Sequence, residues 1–347
     1  MNSITVKYRT KTHKLLAYEA MFRRILKEYW LNDSIVSAYK REKAGYDGER
    51  NVDYKLSTYP HKNLFIFQGL RLANPPFHFQ IDTLLLTKKF ICILEIKNKK
   101  GTFKYDSKQQ QLTQEINGET KSFKDPILQA EAQKAHLVSW MENKAKYNIP
   151  IETLVVVAFP STIIENVRED PDVYKKIIHN ESLHQHLDRL NNNFTEEQFT
   201  KADLRNLCKT LLHEDTALRT DLLQKHHLTE RHLIKGIPCE RCQHYPMKRL
   251  YKKWQCPNCY STSFKAHQRV ILDYFLLHGP TITNKECREI LQIDSPRTAH
   301  TLLNSMHLQH DGRNKGRKYY APYMSDFPQN SSFPHINSSI FEGPLFF

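Results

Sequence analysis

The segment FQIDTLLLTKKFICILEIKNKKG, residues 79–101, decides the fold of this chain. Two runs of apolar and β-branched residues flank a polar break at 87–89, and this pattern predicts a β-hairpin. Charged residues interrupt both runs: Asp82 lies in the first, and Glu95 and Lys97 lie in the second. A core hairpin that gives apolar positions to charged side chains indicates a functional site.

The expected register of this hairpin brings the charges together. If Lys88 and Lys89 form a two-residue turn, Asp82 pairs with Glu95, and their Cβ atoms lie about 5 Å apart. Lys97 points to the same face because side chains alternate along a strand. Opposed carboxylates destabilise a sheet unless a cation lies between them, and a divalent metal ion would meet that need. Lys-Lys is not a favoured pair for a tight turn, so a longer loop with a shifted register stays open.

Two carboxylates and a lysine in this arrangement suit phosphodiester hydrolysis. The acids would bind Mg²⁺ or Mn²⁺, which polarises a phosphate and lowers the pKa of an attacking water. The lysine would orient or deprotonate that water, or stabilise developing negative charge. The alternative is an edge hairpin in which Lys97 forms only a salt bridge with one of the acids.

The composition is that of a basic chain without a membrane span. The 347 residues include 51 Lys and Arg against 37 Asp and Glu, a formal net charge of +14. No apolar run reaches the roughly 18 residues that a span needs, and the N-terminal residues lack the apolar core of a signal peptide. We therefore expect a cytoplasmic protein with no membrane partner. The charge favours nucleic acid as the partner, although unfocused basic surface charge is an alternative.

The predicted elements around the hairpin follow the order helix, three strands, helix, strand. Glu49 lies in the first turn of the first helix, and Asp125 and Pro126 begin the second helix as its cap and first residue. The last strand is a continuous apolar run, which is typical of a strand covered on both faces. The pattern predicts a small α/β domain with a mixed sheet. These elements cover residues 45–57, 63–72, 79–98, 125–141 and 153–160.

Three stretches carry a resemblance to a known family: AGYDGERNVDYKLS, the hairpin segment quoted above with the following TF, and DPILQAEAQKAHL. Between about residues 40 and 160 the chain resembles the NERD (nuclease-related) domain, a branch of the PD-(D/E)xK nuclease superfamily. The resemblance implies an αβββαβ core like that of restriction endonucleases, with the active site on its bent hairpin. The sequence departs nowhere obvious from the family's motif.

Carried over residue by residue, the resemblance implies roles for the charged positions. Asp82 and Glu95 match the family's Mg²⁺ ligands, the carbonyl of Ile96 is the expected third ligand, and Lys97 matches the catalytic lysine.

Two further catalytic residues depend mainly on the resemblance. Glu49 matches the acid of the first helix, and Gln129 matches the glutamine that follows the hairpin, with Gln133 one turn further on. Without the resemblance, Glu49 is a favourable first-turn acid and Gln129 a surface amide.

Two CxxC pairs form the most specific local motif of the chain. Cys239 and Cys242 are separated by 13 residues from Cys256 and Cys259. This spacing predicts one four-thiolate Zn²⁺ site, and with every ligand position filled the metal is structural. We interpret the other three cysteines, Cys92, Cys208 and Cys287, as structural thiols.

The surroundings of the cysteines are strongly basic. Residues 231–265 hold eight Lys or Arg against one acid, Glu240. Tyr251 and Trp254 interleave with these cations and offer surfaces on which bases could stack, so we expect phosphate contacts and base stacking here. The alternative is a zinc site that only stabilises a small fold. The expected contacts are Lys248, Arg249, Lys252, Lys253 and Trp254.

The segment 265–322 has the pattern of a winged helix. Two helices separated by a break at Asp294 form a helix-turn-helix, and a basic Gly-containing hairpin follows as the wing. The expected phosphate or base contacts are Arg297 on the second helix and Arg313, Lys315, Arg317 and Lys318 on the wing. Docking of a protein is the alternative use of such a module.

These expectations divide the chain into six parts and define one functional hypothesis. The chain is expected to be a Mg²⁺- or Mn²⁺-dependent nuclease acting on DNA, held to its substrate by the zinc ribbon and the winged helix. A non-catalytic nucleic-acid-binding or regulatory protein on a nuclease scaffold, and an RNA-directed nuclease, are the alternatives. The sequence has no helicase motif, so a strand-separating partner would be a separate chain. The parts are a basic helical region (1–44), a NERD nuclease-like domain (45–160), a helical connector (161–236), a zinc ribbon (237–264), a winged-helix-like domain (265–322) and an irregular tail (323–347).

Overall fold

The computed structural model describes residues 4–60, 63–116, 118–144 and 147–330, without the side chains of Ile116 and Lys315. Within these ranges the chain divides into two compact units, which we describe separately. The first unit comprises residues 4–9 and 43–217, and the second comprises residues 10–42 and 218–330. The expected irregular tail contains one 3₁₀ turn, Met324–Asp326, and its remainder beyond residue 330 lies outside the described residues.

The N-terminal part differs from its prediction in two ways. It begins with a strand, β1 (Ile4–Lys7), before the helices α1 (His13–Arg24) and α2 (Asp33–Ser57). Because α2 is continuous from Asp33, Glu49 lies in its middle and not in a first turn, so that prediction was wrong. Gly45 and Gly48 both lie within α2 and do not mark a boundary of the helix.

The predicted hairpin is present with its predicted register. The strands are β2 (Phe65–Asn74), β3 (Phe77–Leu86) and β4 (Ile91–Lys97). In the antiparallel pair β3–β4, Leu84 faces Ile93 and Thr83 faces Leu94. This is the register of a two-residue turn at Lys88 and Lys89.

After β4 the chain forms a second sheet that the sequence analysis did not predict. Its first strands lie in the Gln-rich segment that follows the hairpin in the sequence. There the buried Phe103 and Tyr105 alternate with exposed residues, a pattern with the two-residue period of a strand. The following elements, in chain order, are β5 (Thr102–Asp106), β6 (Gln111–Ile116), β7 (Glu119–Phe123), α3 (Pro126–Lys144), β8 (Ile151–Val157), β9 (Ile163–Asn166), α4 (Pro171–Lys176), β10 (Ile177–His179), α5 (Leu183–Asn193) and α6 (Lys201–Glu214).

Both sheets of the first unit are mixed, in agreement with the predicted fold class. The central sheet has the order β1-β2-β3-β4-β8-β10, in which only the pairs β2–β3 and β3–β4 are antiparallel. The second sheet has the order β7-β6-β5-β9. Strands β9 and β10 lie in a region predicted as helical, and the short runs IIEN and IIH explain why they were missed.

Helices cover both faces of the central sheet. Leu84 and Ile93 pack with Trp140 of α3 and Leu204 of α6 on one face. On the other face, residues from β3, β4 and β8 pack with α2 and α5. Asp125 caps α3 as predicted, because its Oδ1 accepts hydrogen bonds from the backbone N–H groups of residues 127 and 128.

The second unit combines N-terminal and C-terminal parts of the chain. Arg23 of α1 forms a buried ion pair with Asp273, with Nη2 2.7 Å from Oδ1. The guanidinium of Arg24 is 2% exposed and donates to the carbonyl oxygens of Ile234 and Gly236. Its elements, after α1, are α7 (Leu222–Lys225), β11 (Lys248–Arg249), β12 (Trp254–Gln255), β13 (Thr262–Ser263), α8 (Ala266–Leu277), β14 (Thr281–Thr283), α9 (Asn284–Leu291), α10 (Pro296–Asn304), β15 (His310–Asp311) and β16 (Lys318–Tyr320).

Two small sheets belong to this unit, with orders β11-β12-β13 and β14-β16-β15. The predicted helices of the C-terminal segment are present, and capping residues at Thr283 and Ser295 begin two of them. None of the helices in the described ranges combines the length and the apolar composition that crossing a membrane requires.

Candidate functional site

The three charged residues of the hairpin lie on one face of the central sheet, with Asp82 in the middle of β3 and with Glu95 and Lys97 at the end of β4. Asp82 lies on the same face of β3 as Leu84, two residues further on. Glu95 and Lys97 lie on the same face of β4 as Ile93. All three charged side chains therefore point toward the face of the sheet that α3 covers. Asp82 directly precedes Thr83, the first residue of β3 that pairs with β4. Its Oδ2 accepts a hydrogen bond of 2.9 Å from the backbone N–H of Ile96.

Side chains of β4 and α3 form a hydrogen-bonded network around Glu95. Glu95 is 2% exposed, and its Oε1 lies 2.6 Å from Nζ of Lys97. Its Oε2 accepts a hydrogen bond of 2.6 Å from Nε2 of Gln133. Lys97 also donates to Oε1 of Gln129 at 2.8 Å. The structure thus brings Lys97 and Gln129 together, and it adds Gln133, which the sequence analysis noted without giving it a role.

The electrostatic environment of Asp82 disfavours its charged form. Burial is the largest cause, followed by the negative charges of Glu95 and Glu49, and together they raise its pKa to about 8. The N–H of Ile96 and the charge of Arg9 oppose this shift but do not cancel it. A divalent cation beside this carboxylate would relieve the repulsion among the acids.

Arg9 is a site residue that the sequence analysis did not find. Its guanidinium lies 2.5 Å from Oε2 of Glu49 and 2.7 Å from Oδ2 of Asp53. It also donates to the backbone oxygen of Asp82 at 2.8 Å and to the hydroxyl of Thr83 at 2.9 Å. The structure therefore connects the predicted acid Glu49 to the hairpin through an arginine.

The ion pair offsets the effect of burial on the pKa of Arg9 more fully than on the pKa of Asp53. Burial opposes the positive charge on Arg9, but the hydrogen bond with Asp53 and the charges of Glu49, Asp53 and Asp82 outweigh it and raise the pKa of Arg9. Burial raises the pKa of Asp53, and Arg9 only partly offsets that rise. No local sequence pattern indicates this contact, because Arg9 is 40 residues or more from every partner.

Two side-chain carboxylates, Asp82 and Glu95, are the available ligands for a metal ion on the hairpin. Among the described residues, the only group that brings three or more acid, histidine or cysteine ligand atoms within 4.8 Å of one another is the cysteine cluster. A divalent ion here would thus need oxygen ligands beyond side-chain acids, such as the backbone carbonyl of Ile96. Oxygen donors and raised negative potential suit Mg²⁺ or Mn²⁺, which commonly use one or two protein carboxylates.

A second lysine lies beside the site. Burial, and then the charge of Lys97, lower the pKa of Lys99 to about 8. Nζ of Lys99 lies 3.5 Å from the centroid of the Phe123 ring on β7. The sheet formed by β5, β6, β7 and β9 thus contributes a surface next to Lys97 and Lys99.

The four cysteines form one cluster that could hold a zinc ion. The Sγ atoms of Cys239 and Cys259 are 3.6 Å apart, and those of Cys242 and Cys256 are 3.5 Å apart. Ligands at 2.3 Å around a tetrahedral Zn²⁺ stand about 3.8 Å from one another, so the spacing fits. Hydrogen bonds from Ser261 lower the pKa of Cys259 to about 6, which favours the thiolate that binds metal.

The expected nucleic-acid contacts on the zinc ribbon divide into exposed and buried residues. Lys248 and Lys252 are exposed, and Arg249 and Lys253 are partly buried. Trp254 is 0% exposed and packs against Arg249 and His267, so the expectation that it stacks on a base was wrong. Its indole fills the small interior between the ribbon and α8.

The expected contacts of the C-terminal module lie at several points of its surface. Arg297, at the start of α10, is exposed, as are Arg313 and Lys318. Nη1 of Arg317 lies 3.2 Å from Nε2 of His300 on α10. The side chain of Lys315 lies outside the described residues.

These features define a mixed α/β protein whose central hairpin carries two acids and a lysine. Residues 44–158 match the family model of the NERD domain, described as the nuclease-related domain, so the chain contains a NERD domain. Searches of curated proteins and of solved structures found no match to the chain. The family model ends before the cysteine cluster and begins after Arg9.

Proposed function

We propose that this protein is a metal-dependent nuclease that hydrolyses phosphodiester bonds in DNA. The observation that carries the proposal is the meeting of Asp82, Glu95 and Lys97 at one point of a nuclease-related domain. A structural role alone does not explain why Asp82 is buried beside Glu95 with a raised pKa, because apolar residues would be more stable there.

The proposed roles follow from the contacts of each side chain. Asp82, Glu95 and the carbonyl of Ile96 would hold Mg²⁺ or Mn²⁺. When bound, the ion would polarise the phosphate and lower the pKa of a water ligand. Lys97 supplies a positive charge for the phosphate or the attacking water. Gln129 orients the side chain of Lys97 by accepting a 2.8 Å hydrogen bond from its Nζ.

Two further residues hold the acids in place. Gln133 fixes Glu95 through a 2.6 Å hydrogen bond to Oε2, so that Oε1 is directed to Lys97. Arg9 is a positioning residue, because it contacts Glu49 and the backbone of Asp82 and not the carboxylate of Asp82. Glu49 contributes through its charge and through Arg9.

The second unit is proposed to hold the substrate. From α8 to β16 the chain forms a helix, a strand, two helices and two strands, which is the order expected of a winged helix. Arg297 lies at the start of α10, the second helix of the proposed helix-turn-helix. The cations of the ribbon and of the β15–β16 hairpin would contact phosphates. Four zinc-ligating thiolates favour a reducing compartment, so we propose the cytoplasm.

Two alternatives would use the same structure. The protein could bind nucleic acid without cleaving it, or its substrate could be RNA. The ion pair between the buried Glu95 and the partly exposed Lys97, with its two amide partners, favours catalysis over a scaffold role. If the substrate is single-stranded DNA derived from a duplex, a helicase on another chain would separate the two strands.

A cleavage assay tests the proposal. Purified full-length protein is incubated with plasmid, linear duplex, single-stranded and branched DNA, and with RNA, with and without Mg²⁺ or Mn²⁺. We expect cleavage of DNA that depends on the metal. Glu95→Ala and Lys97→Ala should each reduce the rate of this cleavage by at least about 100-fold. The matched controls are Glu152→Ala on β8 and Lys88→Ala at the hairpin turn, which should cleave like the parent. Equal cleavage by Glu95→Ala and the parent would refute the proposed site.

A further inference from the structure

The hairpin between β11 and β12 presents an unusual surface at its tip. Tyr251 is 85% exposed, the largest exposed fraction among the large apolar side chains of the described residues. Leu250 beside it is 42% exposed, and Phe264 is 67% exposed. We call the residues 250–253 together with Phe264 and Lys265 the ribbon tip.

Strand register places Phe264 at the same end of the sheet as Tyr251. In the pair β12–β13, Trp254 faces Ser263, so the next position in this register sets Lys253 beside Phe264. The N–H of Leu250 donates to the carbonyl of Lys253, which closes the hairpin around Tyr251. The Cα atoms of Tyr251 and Phe264 therefore lie within roughly 12 Å of each other.

The charge around these rings has one sign. Residues 245–265 contain five Lys or Arg and no Asp or Glu. Nζ of Lys252 lies 5.2 Å from the centroid of the Tyr251 ring, so a cation stands directly beside an exposed aromatic face. Lys265 is exposed next to Phe264. Aromatic faces with adjoining cations and no acids are complementary to bases joined by phosphates.

We propose that the ribbon tip binds single-stranded DNA, with Tyr251 and Phe264 stacking on unpaired bases. The inference deepens the proposed nuclease function, on which it rests, by naming the form of the substrate that the second unit holds. Bases in a duplex already stack on one another, so exposed rings gain most from unpaired bases. Lys252, Lys253 and Lys265 would contact the phosphates between those bases.

The structure also explains why these rings and not Trp254 serve this purpose. Trp254 stacks inward under Arg249, with the guanidinium carbon 5.0 Å from its ring centroid. It therefore stabilises the ribbon from which Tyr251 projects. Substitutions at the tip should leave the cysteine cluster intact, because the hydrogen bonds of the cluster's thiols in the described residues join them to one another, to Ser261 and to Asn258, and not to Tyr251 or Phe264.

Binding of a fluorescent ten-nucleotide oligothymidine by the full-length chain tests this inference. All variants carry Glu95→Ala, which prevents cleavage without a chelator that would strip zinc. We expect Tyr251→Ala and Phe264→Ala each to weaken binding about 5-fold or more, since a stacked base is worth about 1–3 kcal/mol. Tyr251→Phe should retain binding because it keeps the ring. Tyr174→Ala, which removes a 60% exposed ring from the first unit, is the matched control.

Three outcomes would overturn the inference. Equal weakening on a blunt duplex would make the tip a phosphate surface without base stacking. Unchanged binding by a variant with both Tyr251→Ala and Phe264→Ala would mean that the rings meet a protein. Tighter binding of oligouridine than of oligothymidine would assign the surface to RNA. Zinc content measured on each variant shows that the ribbon is folded.

The result is separable from that of the cleavage assay. A protein that never cleaves DNA but loses single-strand affinity with Tyr251→Ala would retain this inference and refute the nuclease proposal. A protein that cleaves DNA but binds single-stranded DNA equally well with and without the rings of the ribbon tip would support the nuclease proposal and refute this inference.

Discussion

Arg9 shows how one side chain can join separate parts of a site. It follows β1, outside the matched nuclease-related domain, and its guanidinium is 5% exposed. Two carboxylates and the backbone of β3 share its donors. Removing the cation would leave buried acids without compensation, which costs more than the pair itself contributes.

We predict that Arg9→Gln lowers the free energy of unfolding by about 3–5 kcal/mol in the metal-free protein. The loss should be larger at about pH 8 than at about pH 5, because the pKa of Asp82 is raised to about 8 and protonation of Asp82 at lower pH relieves the repulsion. Mg²⁺ should restore part of the loss at the higher pH. Urea denaturation at both pH values measures these effects.

Arg71→Gln is the control for this prediction. Arg71 lies on β2, and its guanidinium contacts only the backbone and hydroxyl of Thr216 among the described residues. Its substitution should cost little and should not depend on pH. If Arg9→Gln were destabilising to the same extent at both pH values, Arg9 would act through packing and not through charge.

At the scale of elements, helix α2 approaches the end of β4 at one glycine. A Cβ added to Gly48 would lie 2.2 Å from Cβ of Asn98, the residue after β4. Nδ2 of Asn98 donates to the carbonyl of Ala44 at 2.7 Å, which holds the helix close to the strand end. The next residue of α2 is Glu49, so this close approach also sets the position of the acid.

We predict opposite effects for two glycine substitutions in α2. Gly45→Ala should stabilise the protein by up to about 1 kcal/mol, because nothing lies within 4 Å of its Cβ position and alanine favours a helix. Gly48→Ala should be destabilising overall, because overpacking costs about 1–3 kcal/mol and exceeds the gain in helix propensity. Thermal denaturation of both variants tests the contrast, and equal stabilisation would refute the close approach.

The zinc ribbon depends on its cysteines for its fold. Its strands have two residues each, and few of its side chains are buried: Ile237, Cys239, Met247, Trp254 and Cys256. We expect a sheet this small to need a bound metal ion, because the energy of metal binding is also the folding energy of such a segment.

Cys256→Ser should abolish zinc binding and expose residues 237–264 to proteases. Elemental analysis of the parent should find about one zinc per chain. Cys287→Ser, which changes a buried thiol of α9 outside the cluster, should keep the zinc. A parent protein without zinc, purified without chelator, would contradict the four-thiolate site.

For the whole molecule, the composition of the second unit determines which experiment can separate binding from chemistry. Residues 10–42 belong to the same unit as residues 218–330, and the buried Arg23–Asp273 pair joins the two stretches. Removing the C-terminal part would expose α1 and leave Arg23 uncompensated. Charge substitutions on the surface avoid this defect.

Reversal of Arg297, Arg313 and Lys318 to Glu should weaken binding of duplex DNA and flatten its dependence on salt. Each lost phosphate contact should reduce the slope of log affinity against log salt by about 0.9. Reversal of Lys175, Lys201 and Lys209 to Glu, three exposed lysines of the first unit, is the control for net charge. Titrations at several salt concentrations measure the slopes. Unchanged slopes in the triple variant would favour a protein partner for the C-terminal module.

Short-range patterns in the sequence were sufficient to predict the hairpin and the cysteine cluster. Residues that pair across a tight turn, such as Leu84 and Ile93, are close in the chain, so alternation and turn length determine the register. The CxxC pairs likewise bring ligands together through local loops. The same reasoning placed Asp82, Glu95 and Lys97 in their strands, although their roles stay proposals.

Only the tertiary structure decided which residues complete each site and which are buried. Arg9 meets Glu49 and Asp82 because β1 pairs with β2, a contact between segments about 60 residues apart that a four-residue strand cannot signal in the sequence. Trp254 turns inward and Tyr251 outward because α8 packs on one side of the ribbon. The sequence by itself determined the mixed α/β core and the grouping of the four cysteines, since these depend on period and spacing. The ion pairs and exposed rings depend on which distant surfaces meet, and only packing of the whole chain determines that.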